Sequence, residues 1–369
     1  MKILSFQPYS LFAAGGGSRI LRRLYEGKED DIRSLVVSAY PTSYDGPIVE
    51  TIVYAKPTQR AWMRFVLRTW ATWLRLNLFQ KATEKAIFKQ ALKENFDILH
   101  IVNHGNFSAL LCNDALLKNK LLWVSFHDHF SSVGSSLEQA KILWKKANRR
   151  LVISPELGNE YNSLFGEQEY QIITDGVAQS EVTYTIVPSD NSDTIVVYFA
   201  GLLHLDYIPL FRVLADALDV LVGNGKKITL VLRGTQKLDF LTNRKFIVDY
   251  RPLIIDNQVL KEELDSATIL YLPMKFTDPA FYKYSLSTKM VGYLGAPGVI
   301  LYHGPAESAA CRLLLRSDAS LICTNLEVST LANTIQQGTG DMWRLAKNAK
   351  KLAVQQFDIE KIRSLFWES

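Results

Sequence analysis

The stretch that decides the fold is Ser285 to Ala310, S-L-S-T-K-M-V-G-Y-L-G-A-P-G-V-I-L-Y-H-G-P-A-E-S-A-A. Small hydroxyl residues, Ser285, Ser287 and Thr288, lead into Lys289 on the first turn of an expected helix that continues through Met290, Val291, Tyr293 and Leu294. The turn Gly295–Gly298 ends that helix. A short apolar run, Val299 to Tyr302, reads as a buried parallel strand, and Gly304-Pro305 breaks it before the next helix. Free N–H groups, hydroxyls and a lysine at a helix start make an anion site.

The same βα rhythm runs through the whole chain. Strands are expected at 2–7, 34–38, 50–54, 97–102, 121–126 and 150–153, and helices at 18–26, 60–80, 82–94, 107–117, 135–147 and 156–164. After Pro188 and the polar run Asp190-Asn191-Ser192-Asp193 a second series begins. Its strands are expected at 194–200, 227–232, 245–249, 268–272, 298–302 and 320–323. Its helices are expected at 207–222, 257–264, 284–294, 306–314, 326–337 and 341–354. This alternation implies an α/β protein with two doubly wound, Rossmann-like domains, 1–188 and 189–354, facing each other across a cleft. At 369 residues each half is long enough for its own core.

In spacing and sequence, Ser285–Val299 resembles the nucleotide-sugar segment of GT-B glycosyltransferases. The likeness is to the large retaining family of sucrose synthases, bacterial polysaccharide transferases and phosphatidylinositol mannosyltransferases. That segment commonly reads P-S-K-x-x-E-Y-L-A-x-G-x-P-V. Lys289, Tyr293 and Leu294 match it, but the ribose-binding glutamate falls on Gly292. The resemblance implies transfer of a hexose from a nucleotide-diphosphate sugar to a glycan or lipid-linked acceptor. Retention of configuration and a place in surface polysaccharide or glycolipid synthesis follow from the same likeness. It also implies that the tail, 355–369, crosses back to the first domain. Ser285, Ser287, Thr288, Lys289 and Gly304 become candidate donor-binding residues. The family's phosphate loop, G-R-x-x-x-x-K-G, keeps only Gly201 here, in Gly201-Leu202-Leu203-His204-Leu205-Asp206. Arg233, Lys289 and Lys275 are the candidate sources of the missing positive charge, with His204 as a hydrogen-bond donor. A module that has lost catalysis and binds sugar or a partner is the alternative that these departures leave open.

Gly15-Gly16-Gly17-Ser18 follows the first strand and opens the first helix, with Arg19 on its first turn. It permits close backbone approach to a ligand. It is not a G-x-G-x-x-G dinucleotide turn, and no acid sits cleanly at the end of the second strand. His127-Asp128-His129 follows the strand 121–126, where ligands of open α/β sheets bind. His127 and Asp128 are placed for acid–base or orienting work. His100, His104 and Asn106 come from the neighbouring strand end.

The formal net charge of +5 is local: residues 56–93 hold nine basic side chains against one acidic. On a helix Arg60, Arg64, Arg68 and Arg75 fall on one side and Trp62, Phe65, Val66, Trp70, Trp73 and Leu74 on the other. Two readings stay open for this segment: docking on an anionic membrane surface, or a helix whose tryptophans pack under the first sheet. A nucleic-acid surface is not expected, because the rest of the chain is acidic. No cofactor is expected beyond the donor substrate. No metal is expected, since neither D-x-D at a strand end nor H-E-x-x-H occurs. Cys112, Cys311 and Cys323 read as reduced core residues. Lys2 leads directly into a strand with no apolar leader, so a cytoplasmic protein, peripheral at the inner face of the membrane, is the expectation.

Overall fold

The computed structural model describes residues 1–40, 45–58, 67–184, 194–201, 203–254 and 256–368. Arg60, Trp62, Arg64, Phe65, Val66 and the linker residues 190–193 lie outside the described residues. The chain divides into two compact units: Met1–Thr174 with Leu365–Ser369, and Asp175–Ser364.

The first unit runs β1 (Ile3–Gln7), α1 (Gly16–Tyr25), β2 (Ile32–Ser38), β3 (Val49–Tyr54), α2 (Arg68–Asn77), α3 (Gln80–Ala91), β4 (Ile98–Val102), β5 (Leu121–Phe126), α4 (Leu137–Lys146), β6 (Arg149–Val152), α5 (Pro155–Phe165) and β7 (Gln171–Ile172). The strands pair in parallel in the order β3-β2-β1-β4-β5-β6-β7. β1 and β4 are buried at every position, which is why they read as unbroken apolar runs. Helix starts follow local chemistry. Ser136 and Gln139 form a capping box at α4, and Ser154 with Pro155 opens α5.

The helix expected over 107–117 is instead a series of turns. Leu110 N donates to Phe107 O and Cys112 N to Ala109 O, three residues back. The Asn113 side chain accepts from Ala115 N at 2.9 Å, a local bond that competes with helix continuation. The two-residue β7 was not expected.

The second unit runs β8 (Thr194–Ala200), α6 (Ile208–Gly223), β9 (Lys227–Arg233), β10 (Ile247–Arg251), α7 (Asn257–Ser266), β11 (Ile269–Pro273), α8 (Pro279–Tyr282), α9 (Thr288–Leu294), β12 (Val299–His303), α10 (Ala309–Arg316), β13 (Ser320–Cys323), α11 (Val328–Gly338) and α12 (Met342–Gln356). The last helix, α13, is Ile359–Trp367. The order β10-β9-β8-β11-β12-β13, all parallel, repeats that of β3 to β6. Apolar side chains on both faces of this sheet form its core, with Val197, Leu230, Ile269 and Leu301 on one side and Leu270, Met290, Ile300 and Leu352 on the other. The helix expected at 284–294 starts only at Thr288, and the short α8 precedes it.

The division falls between Thr174 and Asp175, earlier than the 188/189 boundary expected from the linker. Residues 177–183 already belong to the second unit. Val177 N donates to Phe357 O at 2.6 Å, Thr183 N to Gly295 O at 2.9 Å, and Thr183 Oγ1 to Asp265 Oδ2 at 3.0 Å. Of the tail, only Leu365 onward joins the first unit, where Phe366 packs edge-on against Trp123 with ring centroids 5.3 Å apart. The Arg149 guanidinium fixes it by donating to the carbonyls of Leu365 and Phe366, both at 2.8 Å.

Each unit holds in its core a neutral histidine bonded on both ring nitrogens. His100 Nδ1 bonds the Tyr25 hydroxyl at 2.6 Å and Nε2 the Ser125 hydroxyl at 2.7 Å, and burial pushes its pKa down to about 3. His303 bonds Tyr271 and the Asn325 carbonyl, and burial lowers it to about 4. Both folded values lie below the unfolded one near 6.5, so the unfolded chain binds more protons in acid. Stability is therefore complete above pH ~6.5 and is lost as pH falls toward the folded values. At pH ~5 each histidine costs its own unit about 2 kcal/mol. Urea unfolding at pH 7.5 and pH 5 should show clearly lower midpoints at pH 5, above the range in which most carboxylates titrate. Equal midpoints would contradict this account.

Candidate functional site

In both sheets the strand order reverses at an inner pair, β1/β4 in the first unit and β8/β11 in the second. Crevices outside the carboxyl ends of such strands are where α/β sheets bind ligands. The candidate residues are described for each unit in turn.

In the first unit the loop from Pro8 to Gly15 leaves β1 and is tied down at two points. The Glu50 carboxylate on β3 accepts from Ser10 Oγ, from Leu11 N at 2.8 Å and from Ser34 Oγ at 2.9 Å. Arg22 on α1 donates to the carbonyls of Leu11 and Ala13. The three glycines divide their work. A Cβ at Gly17 would overlap the Tyr9 phenol, so Gly17 is the seat of Tyr9, whereas Gly15 has open space where a Cβ would go. Gly16 begins α1, with Arg19 N donating to Gly15 O at 3.0 Å.

Tyr9 stands edge-on to His104, centroids 5.7 Å apart. Its phenol is pushed well up, first by burial and then by the negative charge of Asp128. His127 sits at the end of β5 with both ring nitrogens shielded from solvent, and neither has a hydrogen-bond partner among the described residues. Burial, aided by nearby His104, lowers its pKa to about 4. A buried polar group left unbonded costs about 1–3 kcal/mol, so the His127 ring is held there at a cost. The structure thus brings together Tyr9, His104, His127 and Asp128. His100 is set apart as a core residue bonded on both ring nitrogens inside the sheet, and His129 bonds Ser131 through Nδ1 at 2.8 Å.

A cavity of ≈ 260 Å³ lies at the ends of β1, β2 and β4, lined by Gln7, Ser38, His104 and Asn106, and by Thr72, Arg75 and Leu76 of α2. Arg75 therefore points inward, donating to Pro57 O at 3.1 Å and Thr72 Oγ1 at 3.2 Å, while Trp70 and Trp73 are 57% and 56% exposed. This corrects the reading in which these tryptophans pack under the sheet and Arg75 lies on the outer face.

In the second unit Gly201 follows β8 with φ +133°, a conformation that suits glycine. Its N–H donates to Arg233 O at 2.8 Å and its carbonyl accepts from Thr235 Oγ1 at 2.9 Å. The Lys289 side chain lies against it: a Cβ on Gly201 would stand 2.6 Å from Lys289 Cε and 3.0 Å from Nζ. The ammonium also sits 5.6 Å from the centre of the Phe199 ring. Burial lowers its pKa, and no hydrogen bond or ion pair to Nζ is found among the described residues. Ser287 caps α9 without a side-chain bond, Thr288 is its first residue, and Ser285 is buried just before it. Gly304 serves packing, since a Cβ there would press on Met274.

Other candidates are committed elsewhere. Arg233 is buried in an ion pair with Glu263, its Nε 3.0 Å from Oε2, and it also donates to Pro252 O at 2.6 Å. Arg251 and the Tyr198 hydroxyl share that carboxylate. Arg233 is thus structural, and its expected catalytic role is withdrawn. Lys275 pairs with Asp206 and Asp278, and His204 pairs with Asp206. Glu307, considered as a substitute for the missing carboxylate, is exposed, and Gly292 has open space where its Cβ would project. Tyr9, Glu50 and Phe199 were not foreseen. A carboxylate inside an otherwise apolar strand, as in Val49-Glu50-Thr51-Ile52-Val53, was the available signal for Glu50.

No protein-family profile matches the chain, and no curated protein matches it in sequence. Solved structures do match. Anabaena HepE in complex with UDP superposes with a TM-score of 0.66 at 17% identity, covering 99% of this chain and 98% of that one. Sucrose-phosphate synthase from Thermosynechococcus elongatus gives 0.70 at 15%, covering 99% and 97%. A UDP-forming α,α-trehalose-phosphate synthase from Burkholderia xenovorans with glucose-6-phosphate gives 0.66 at 10%, covering 99% of each. The chain therefore has the GT-B fold over its whole length.

Gly201→Ala should force a Cβ onto Lys289 and strain a left-handed backbone, costing about 1–3 kcal/mol. Thermal unfolding should register this as a lower midpoint. An unchanged midpoint would mean that the backbone at Gly201 does not hold its positive φ.

Proposed function

We propose that this protein is a glycosyltransferase that moves a hexose from a nucleotide-diphosphate sugar to a glycan or lipid-linked acceptor, with retention, in surface polysaccharide or glycolipid synthesis. One observation carries the proposal. In a fold shared with UDP- and sugar-phosphate-bound proteins, Lys289 holds a partly buried ammonium against Gly201, with no anionic partner among the described residues. A cation whose charge burial disfavours is stabilised by an incoming phosphate. The same charge would stabilise the diphosphate as it leaves, the largest electrostatic demand of such a reaction. In this reading Lys289 supplies what the first loop lacks at its arginine and lysine positions. His127 and Asp128, at the end of β5, are assigned to hydroxyls of donor or acceptor.

The second reading, a module that binds without catalysing, is favoured by Gly292 and by the acid-paired His204 in the first loop. The two separate in a single assay. Lys289→Ala should weaken UDP binding in calorimetry, and slow release of UDP from UDP-sugars, by tenfold or more, about 1.4 kcal/mol. Unaltered UDP binding in this variant removes Lys289 from the donor site. Wild-type binding of UDP with no turnover of any sugar donor establishes the second reading.

Gly292→Glu offers a gain-of-function check. A Cβ at Gly292 meets open space, and a carboxylate gripping two ribose hydroxyls is a strong, charge-assisted contact. UDP affinity should rise by roughly tenfold, about 1.4 kcal/mol. Weaker binding would place the ribose elsewhere.

A further inference from the structure

We propose that α2 and α3 of the first unit form a docking surface for an anionic lipid bilayer. Two independent features lie on these adjoining helices. On α2 the residues opposite the cavity-lining face, Trp70, Trp73 and Asn77, are exposed, and Leu78 and Phe79 continue the apolar surface between the helices. Tryptophan has an apolar body and one N–H donor, which suits the boundary between headgroups and acyl chains. On α3 and the residues just after it, Lys81, Lys85, Lys89 and Lys93 recur every fourth residue and are all exposed. That spacing puts them in one stripe along the helix. None has an ion-pair partner among the described residues, and Glu84, the one acid within α3, is held by Gln80 Nε2 at 2.7 Å.

Charge complementarity selects the occupant. A second copy of this chain would set lysine stripe against lysine stripe under two-fold symmetry, which is repulsive. An anionic bilayer supplies negative headgroups for the lysines and an apolar layer for the tryptophans at one surface. Trp70 and Trp73 lie on one face of α2, and Thr72, Arg75 and Leu76 line the cavity from the other. Docking would hold that cavity within about one helix diameter, roughly 10 Å, of the lipid. No described helix is long and apolar enough to cross a membrane, so the association proposed is with the surface. It does not rest on the transferase reading, because it concerns a different unit from Lys289 and is measured without a donor.

The test is co-sedimentation of the full chain with vesicles of phosphatidylcholine alone or with roughly 30% phosphatidylglycerol, at low salt. Binding should be at least about tenfold tighter to the anionic vesicles and should collapse near 0.5 M salt, where the screening length falls to roughly 4 Å. The triple reversal K81E/K85E/K89E should weaken binding by roughly a hundredfold, at about fivefold or more per charge. W70A/W73A should weaken it while keeping its salt dependence. All five positions are exposed, so unchanged thermal midpoints will show that the variants fold. Equal binding to neutral vesicles, absence of binding at low salt, or indifference to the triple reversal each overturns the proposal. So does a lipid-free dimer, seen by sedimentation velocity, that W70A/W73A dissolves without any vesicle binding. UDP binding measured on the same variants keeps this outcome separate from that of the proposed chemistry.

Discussion

A parallel sheet covered on both faces has nowhere to put polar chemistry except at the ends of its strands. Both sheets obey this constraint. β1, β4, β11 and β12 are buried at every position, and the residues that can act on a ligand come immediately after strands: Tyr9 after β1, His104 after β4, His127 after β5, Gly201 after β8. Two sheets with the same reversal of strand order thus give each unit one rim on which function can be built.

The first sheet breaks the constraint in one ordered way. Ser5 lies in register with Ser34 on β2 and with His100 on β4. From there a hydrogen-bonded chain runs from Glu50 through Ser34, Gln7, Ser5, Tyr25 and His100 to Ser125. Every link is between 2.6 and 2.9 Å. Buried polar groups are tolerable only when such a network satisfies them. Its outer end is the carboxylate that holds Ser10 and Leu11. The glycine loop is therefore anchored to the interior of the sheet, which limits how far the loop can move.

Most of the fold was legible because this constraint writes itself into the sequence. Runs such as Ile98-Leu99-His100-Ile101-Val102 are short, apolar and bounded by turn residues, and every expected strand is present within about two residues. What failed was local. Residues 107–117 carry enough apolar side chains for a helix, but Asn113 bonds the backbone two residues on and the segment breaks into turns. The site was less legible than the fold, since proximity across strands leaves no trace in spacing. That Arg233 is neutralised depends on Glu263, thirty residues away on another element. That Gly17 seats Tyr9 depends on a loop closing back on its own helix. The Ser-Thr-Lys run, by contrast, carried its signal within a few residues.

Arg233 and Lys289 show why partners rather than charge decide a role. Both are cations close to the loop that begins at Gly201. Arg233 shares a carboxylate with Arg251 and a tyrosine hydroxyl, so its charge is already spent within the fold. Lys289 lies against the Gly201 backbone and the Phe199 ring with no acid paired to it among the described residues, and burial lowers its pKa. A partly buried cation without a counter-charge is held at a cost, and an incoming anion relieves that cost on binding. A free lysine on a solvated loop would gain far less, because water screens it before the ligand arrives. A loop that lacks its own arginine and lysine can therefore still serve a diphosphate, provided that the neighbouring helix start supplies one well-placed and partly buried ammonium.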